Sequence, residues 1–228
     1  MLASEAPTPR LVFWDFDGVI KESVDVKTQA FVRLFAPFGV DLAARVKAHH
    51  EAHGGISRFV KMPLYLGWAG QAVSEAHVHE WCDRFGHLVM ASVVAAAWVP
   101  GAEPVLRQNP LQQRFVLVSA TPTDELHEIL KALDLGHCFE AVFGASTSKK
   151  AAIRQVLQET MEAPSDCVMI GDARADLDAA NANDVPFLLR QHASNTTVFA
   201  DYNGPAIKDL NECLRAWCGG KLDMGKHD

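Results

Sequence analysis

The chain has 228 residues, of which 49% are hydrophobic and 21% charged, a composition typical of a folded globular protein. Its formal net charge of -7 disfavours a nucleic-acid partner, because a polyanion would meet general repulsion. The five cysteines are widely spread and form no C-x-x-C pair, so neither a disulfide framework nor a zinc ribbon is predicted.

Five short apolar runs predict buried strands, at residues 11–14, 114–118, 140–143, 167–170 and 185–189. Helical patterns follow the later runs, at residues 123–133, 149–159 and 173–183, and a final helix is predicted over residues 206–217. Strands that alternate with helices are typical of a parallel sheet covered by helices on both faces. The sequence therefore predicts an α/β fold.

About a hundred residues separate the first two strands, although a parallel crossover needs only a dozen or more. This segment has helical patterns and closes at the turn-like pair Pro100-Gly101. We predict a helical cap domain over residues 22–99, inserted into a core made of residues 1–21 and 100–228. The tails at residues 1–9 and 219–228 show no pattern that would anchor them.

Two carboxylates, Asp15 and Asp17, directly follow the first predicted strand, and Gly18 indicates a turn behind them. In open α/β sheets, ligands bind at the carboxyl ends of the strands. One carboxylate can then attack a substrate while the other handles protons. The D-x-D-G pattern alone is also compatible with a solvated acidic turn, so its interpretation depends on the rest of the chain.

Hydroxyl and amine side chains follow the next two strands at the same edge of the sheet. Ser119 and Thr121 come after the second strand, where they can donate hydrogen bonds to a phosphoryl oxygen or simply cap a turn. Lys149 and Lys150 open the helix after the third strand, where a cation opposes the helix dipole unless an anion lies nearby. The pattern indicates an anion site at this edge.

Two more carboxylates, Asp172 and Asp176, follow the fourth strand. Four acids at one edge repel each other unless a cation lies among them. Magnesium fits such a place, because it binds through one or two carboxylates, retains waters and takes further oxygens from a substrate phosphate.

These four motifs, in this order and at these strand ends, resemble those of the haloacid dehalogenase superfamily. The insertion after the first strand is similar to the helical cap of subfamily I, in the phosphoglycolate phosphatase and β-phosphoglucomutase group. The resemblance implies a Rossmann-like parallel sheet of strand order 5-4-1-2-3. It also implies a magnesium-dependent enzyme that forms an aspartyl-phosphate.

The resemblance also implies a role for each site residue. Asp15 matches the nucleophile and Asp17 the acid/base that protonates the leaving oxygen and later activates water. The phosphoryl-binding groups are Ser119 and one of the two lysines, with Lys149 preferred to Lys150. The metal ligands are Asp172, Asp176, Asp15 and the backbone carbonyl of Asp17, and which of Asp172 and Asp176 binds directly is left open. Since dehalogenases and phosphonoacetaldehyde hydrolases lack an acid at position 17, the pattern favours phosphate-ester cleavage.

A glycine-flanked loop in the predicted cap ends in Ser57 and Arg58, and the planar fork of Arg58 suits a phosphate or carboxylate on the substrate. A solvated arginine at a helix start is the alternative. His49, His50 and His53 could suggest zinc, but only His49 and His53 have the i, i+4 spacing of metal ligands and no further ligand is evident. A solvated or partly packed histidine face is therefore favoured over zinc.

The sequence as a whole predicts a phosphatase that acts on a small phosphorylated metabolite, with a sugar phosphate as one candidate. A phosphosugar mutase and a catalytically silent binding module are the alternatives. No membrane partner is predicted, because the most apolar stretch, residues 88–99, falls short of the roughly 20 residues that a spanning helix needs. The absence of a signal-peptide core in residues 1–10 favours the cytoplasm, and both a monomer and a homodimer are compatible with the pattern.

Overall fold

A computed structural model describes residues 8–217 and places a parallel sheet at the centre of the molecule. Its strands are β1 (Leu11–Trp14), β2 (Arg114–Val118), β3 (Ala141–Phe143), β4 (Cys167–Gly171), β5 (Phe187–Arg190) and β6 (Ala206–Ile207). They lie in the order β3-β2-β1-β4-β5-β6. The predicted Rossmann-like order is confirmed, and β6 adds an edge strand beside β5.

The helices follow the predicted alternation. They are α1 (Val24–Phe35), α2 (Val40–Ala52), α3 (Arg58–Trp68), α4 (Glu75–Ala95), α5 (Ala102–Gln108), α6 (Thr123–Ala132), α7 (Lys149–Thr160), α8 (Arg174–Asn181) and α9 (Leu210–Trp217). The first four lie between β1 and β2, where α1 packs on α2 and α4, and α3 packs on α4. The short helix α5 was not predicted.

The final helix begins later than predicted, because Ala206 and Ile207 form β6 and pair with β5. The helix begins at Leu210, where the side chain of Asp209 accepts a hydrogen bond from the backbone N–H of Glu212 at 3.0 Å. The prediction of one helix over residues 206–217 was therefore wrong at its start. The Asp-x-x-Glu pattern of a capping box marks the true start in the sequence.

Buried apolar side chains form one cluster on each face of the sheet. All four residues of β1 are buried, as expected of a central strand covered on both faces. One cluster continues from the sheet into α1, α3 and α4, so these helices share a core with that face. The division into core and cap therefore stays a prediction.

Two further features concern the ends of the chain and its helices. Within residues 8–217, no helix combines the length and apolar character needed to cross a membrane. Of the predicted unanchored tails, residues 1–7 and 219–228 lie outside the described part. Residue 9 is anchored, since the Gln113 side chain donates a hydrogen bond to the Pro9 carbonyl at 2.7 Å.

Candidate active site

The loop after β1 and the loop after β4 meet at the carboxyl edge of the sheet. Gly18 has φ +75°, a left-handed conformation that favours glycine, and it turns the chain directly behind Asp17. A Cβ atom at Gly18 would lie 2.3 Å from a carboxylate oxygen of Asp172. Glycine is therefore required here both by the backbone and by the close approach of Asp172.

Three buried carboxylates gather at this edge. Oxygens of Asp15, Asp172 and Asp176 all lie within 4.8 Å of one another. The amine of Lys149 contacts Asp15 at 2.9 Å and Asp176 at 2.5 Å. One lysine faces three acids, so the cluster carries an excess of negative charge unless a cation or protons neutralise it. These three aspartates could hold a metal ion.

Burial dominates the protonation of this cluster. It raises the pKa of Asp15 to about 7, with repulsion from Asp176 adding to the effect and Lys149 opposing it. Burial also raises the pKa values of Asp172 and Asp176. For Lys149, burial lowers the amine pKa, but the carboxylates of Asp15 and Asp176 raise it above its ordinary value. Lys149 is therefore a permanent cation.

The second carboxylate of the first motif has separate partners. Asp17 accepts a hydrogen bond from the Ser23 hydroxyl at 2.6 Å and forms an ion pair with the amine of Lys27 in α1. Lys27 also donates to the Thr121 hydroxyl at 2.7 Å. Asp17 is thus held between the loop after β2 and the first helix of the insertion, and its side chain lies outside the three-carboxylate cluster.

A cavity of about 80 Å³ opens between the carboxyl edge of the sheet and the inserted helices. It is lined by both charged loops and by basic side chains of the insertion, namely Asp15, Asp17, Asp172, Lys149, Thr121, Lys27, His50, Arg58 and Lys61. A neighbouring cleft is lined by Ser57, Ser119, Lys149 and Lys150, so Lys149 is common to both.

Most of the predicted site residues line the cavity or the cleft, whereas Asp176 is fully buried and lines neither. Lys149 is buried among the carboxylates, whereas Lys150 is exposed on the cleft. Ser119 is buried, and its hydroxyl oxygen accepts the Thr121 backbone N–H at 3.2 Å. Ser57 caps α3, accepting the backbone N–H of Phe59 at 3.3 Å. The structure therefore places Lys149 beside Asp15.

Arg58 lines the cavity, but its guanidinium is already engaged. It donates from both terminal nitrogens to the two carboxylate oxygens of Glu125 in α6. The Arg58 guanidinium, which was expected to face a ligand, instead links α3 to α6 through Glu125. A substrate-binding role for Arg58 stays a prediction.

The model of the haloacid dehalogenase-like hydrolase family matches residues 9–184, which include every residue of the carboxylate cluster and the cavity. The chain belongs to this family. This chain is also 27% identical to a phosphoglycolate phosphatase from Pseudomonas putida, and the match covers 94% of this chain and 80% of that protein.

Solved structures share the fold of this haloacid dehalogenase-like hydrolase. A predicted phosphoglycolate phosphatase from Haemophilus somnus has a TM-score of 0.72 at 15% identity, covering 90% of this chain and 96% of its own. A β-phosphoglucomutase from Clostridium difficile has a TM-score of 0.71 at 16% identity, covering 92% and 98%. At these identities the likeness concerns the fold.

Three basic residues of the cavity were not predicted from the sequence of the hydrolase: Lys27, His50 and Lys61. The sequence spacing could have identified Lys61. Positions 58, 61, 62, 65 and 66 have the i, i+3, i+4, i+7, i+8 spacing of one face of an amphipathic helix, and in the structure all five are buried. Charged residues at two positions of a buried stripe indicate a polar site. His50 was counted among a partly packed histidine face, yet it lines the cavity.

Proposed function

We propose that this hydrolase is a magnesium-dependent phosphatase that cleaves a small phosphate monoester through an aspartyl-phosphate on Asp15. The observation that carries the proposal is the buried cluster of Asp15, Asp172 and Asp176 around Lys149, with Asp17 two residues beyond Asp15. The name of the Pseudomonas putida relative, a phosphoglycolate phosphatase, supports the same reaction class.

The donor set fits magnesium. The three carboxylates offer hard oxygen ligands within 4.8 Å of one another, and Lys149 offsets only part of their charge. Asp15, Asp172 and Asp176 would hold the ion, and the Asp17 carbonyl is proposed as a further ligand. When bound, magnesium supplies positive charge that stabilises the transferring phosphoryl group.

The nucleophile and the proton donor come from the same loop. An oxygen of Asp15 attacks phosphorus, a bond from Asp15 to phosphorus forms, and the ester P–O bond breaks. In its protonated form Asp17 gives a proton to the leaving oxygen, and the carboxylate left behind takes a proton from the water that hydrolyses the aspartyl-phosphate. The hydrogen bond from Ser23 fixes the orientation of Asp17 for both steps.

Cations and hydroxyls hold the phosphoryl oxygens. Lys149 lies 2.9 Å from Asp15 and can contact a phosphoryl group on that residue while keeping its charge. Ser119 and Thr121 at the end of β2 are the proposed hydroxyl donors. The cavity of about 80 Å³ has room for a group the size of several waters, which supports a small metabolite as substrate.

The test is hydrolysis of phenyl phosphate with and without magnesium. We expect wild-type protein to release phosphate only with the metal, and Asp15→Asn to lose activity because an amide cannot attack phosphorus. Asp41→Asn, an exposed aspartate in the first turn of α2, is the matched control and should behave as wild type. Substantial activity in Asp15→Asn would refute the mechanism.

A further inference from the structure

A buried amine faces the cavity from the inserted helices. Lys61 on α3 is 3% exposed and lies 3.1 Å from the Nδ1 atom of His50 on α2. Both side chains line the same cavity as Asp15. Within residues 8–217, no carboxylate lies within ion-pair distance, 4.0 Å, of Lys61. Lys61 is thus a buried amine without an acidic partner in the described part of the chain.

The other basic side chains of the insertion that line this cavity are engaged. Lys27 pairs with Asp17 and donates to Thr121, and Arg58 pairs with Glu125. Burying an unpaired charge is costly, and a bound ligand of opposite charge would offset that cost. His50 adds a second polar group that can donate to an anion when it is protonated or in the suitable tautomer.

Burial, reinforced by the charge of Lys27, lowers the pKa of Lys61 to about 7. The amine therefore shares its proton between two states near neutrality. An anion bound against it would favour the charged state and restore an ordinary ammonium. This electrostatic situation agrees with an anion-binding site. Because Lys61 lines the same cavity as Asp15 and Asp172, the anion would lie in that cavity.

We propose that Lys61 and His50 bind a second anionic group, a carboxylate or phosphate, at the non-reacting end of the substrate. The inference rests on the proposed function, because the phosphoryl end must lie at Asp15 in the same cavity. It defines the substrate class as small phosphate monoesters with a second anion. It also assigns recognition of that anion to Lys61, whereas Arg58 joins α3 to α6.

The first experiment compares kcat/KM for 2-phosphoglycolate, which has a second anion, with kcat/KM for ethyl phosphate, which has none. Lys61→Met should lower the value for 2-phosphoglycolate about 10- to 100-fold, the loss of one charge-assisted hydrogen bond. The value for ethyl phosphate should change less than about twofold. Lys47→Met, a half-exposed lysine on α2, should leave both values unchanged.

Equal losses on the two esters, or no loss on either, would overturn the inference. A selective loss in Arg58→Ala with none in Lys61→Met would also overturn it, in favour of Arg58. If wild type hydrolyses ethyl phosphate but does not prefer any doubly anionic ester, including a hexose bisphosphate, the phosphatase proposal stands and this inference fails.

A binding measurement separates the two proposals if no ester is hydrolysed. Calorimetric titration with phosphonoacetate, which has a carboxylate, and with ethylphosphonate, which lacks one, reports the second anion without turnover. Wild type should bind phosphonoacetate at least about tenfold more tightly, and Lys61→Met should remove that preference. Equal affinity of wild type for the two phosphonates would overturn the inference whether or not the protein is a phosphatase.

Discussion

Replacing Lys61 with methionine should change how the stability of the protein depends on pH. Burial first, and then the charge of Lys27, lower the pKa of this amine from 10.5 to about 7 in the folded chain. Below pH 7 the Lys61 amine is protonated in both the folded and the unfolded chain, so the full cost of burying its charge lowers the free energy of unfolding. Between pH 7 and 10.5 the unfolded chain binds more protons, and stability therefore rises with pH.

The size of the effect follows from that fall in pKa. At about 1.4 kcal/mol for each pH unit, a fall from 10.5 to about 7 corresponds to a burial cost on the order of 5 kcal/mol. Lys61→Met retains the length of the side chain and loses the charge. The variant should therefore unfold with a larger free energy than wild type near pH 7, and the two should converge as the pH approaches 10.5.

Urea unfolding followed by circular dichroism, from about pH 7 to about pH 10, measures this difference. Burial and the charge of Lys61 hold the pKa of His50 well below 6.5, so His50 stays neutral in this range. Lys47→Met should follow wild type, because Lys47 is half-exposed. Parallel curves for wild type and Lys61→Met would refute the conclusion that burial destabilises the charged amine.

Three further predictions concern the carboxylate edge. Asp17→Asn should reduce kcat on phenyl phosphate by roughly 10² to 10⁴, with an unchanged magnesium requirement, and undiminished turnover would show that another group supplies the proton. Asp172→Ala should raise the magnesium concentration needed for half-maximal activity, and a wild-type requirement would exclude it from the metal site. Gly18→Ala should also weaken magnesium, since its Cβ would lie 2.3 Å from Asp172, whereas Gly70→Ala, with similar φ and open space, should only lower stability. Equal magnesium requirements in these two glycine variants would contradict that contact.

The sheet could be predicted from the sequence because its signals are local. Four of the five predicted strands, β1, β2, β4 and β5, are short apolar runs that are almost fully buried, since a strand covered on both faces excludes polar residues. The prediction that the third run is buried was wrong, because β3 lies at the edge of the sheet and is only half-buried. The approach of Asp15 and Asp172 also follows, because parallel neighbouring strands end at the same edge. Strand β6 has only two residues, too few to give a pattern, and the predicted helix over residues 206–217 wrongly included it.

The inserted side of the cavity could not be predicted in the same way. Whether Arg58 meets a ligand or Glu125 depends on how α3 and α6 both pack on α4, which no local pattern encodes. The Lys27–Asp17 pair likewise joins the first inserted helix to the loop after β1. Lys61 and His50 lie on different helices, and their contact is a consequence of tertiary packing.

In the proposed mechanism the phosphoryl group passes through Asp15. This step is tested directly by mixing excess protein with phenyl phosphate and magnesium, quenching with acid within one turnover and sequencing the peptides by mass spectrometry. We expect one phosphoryl group on the peptide with Asp15, sensitive to hydroxylamine and absent in Asp15→Asn. Phosphate release without any modified Asp15, or a phosphoryl group on another residue, would contradict it.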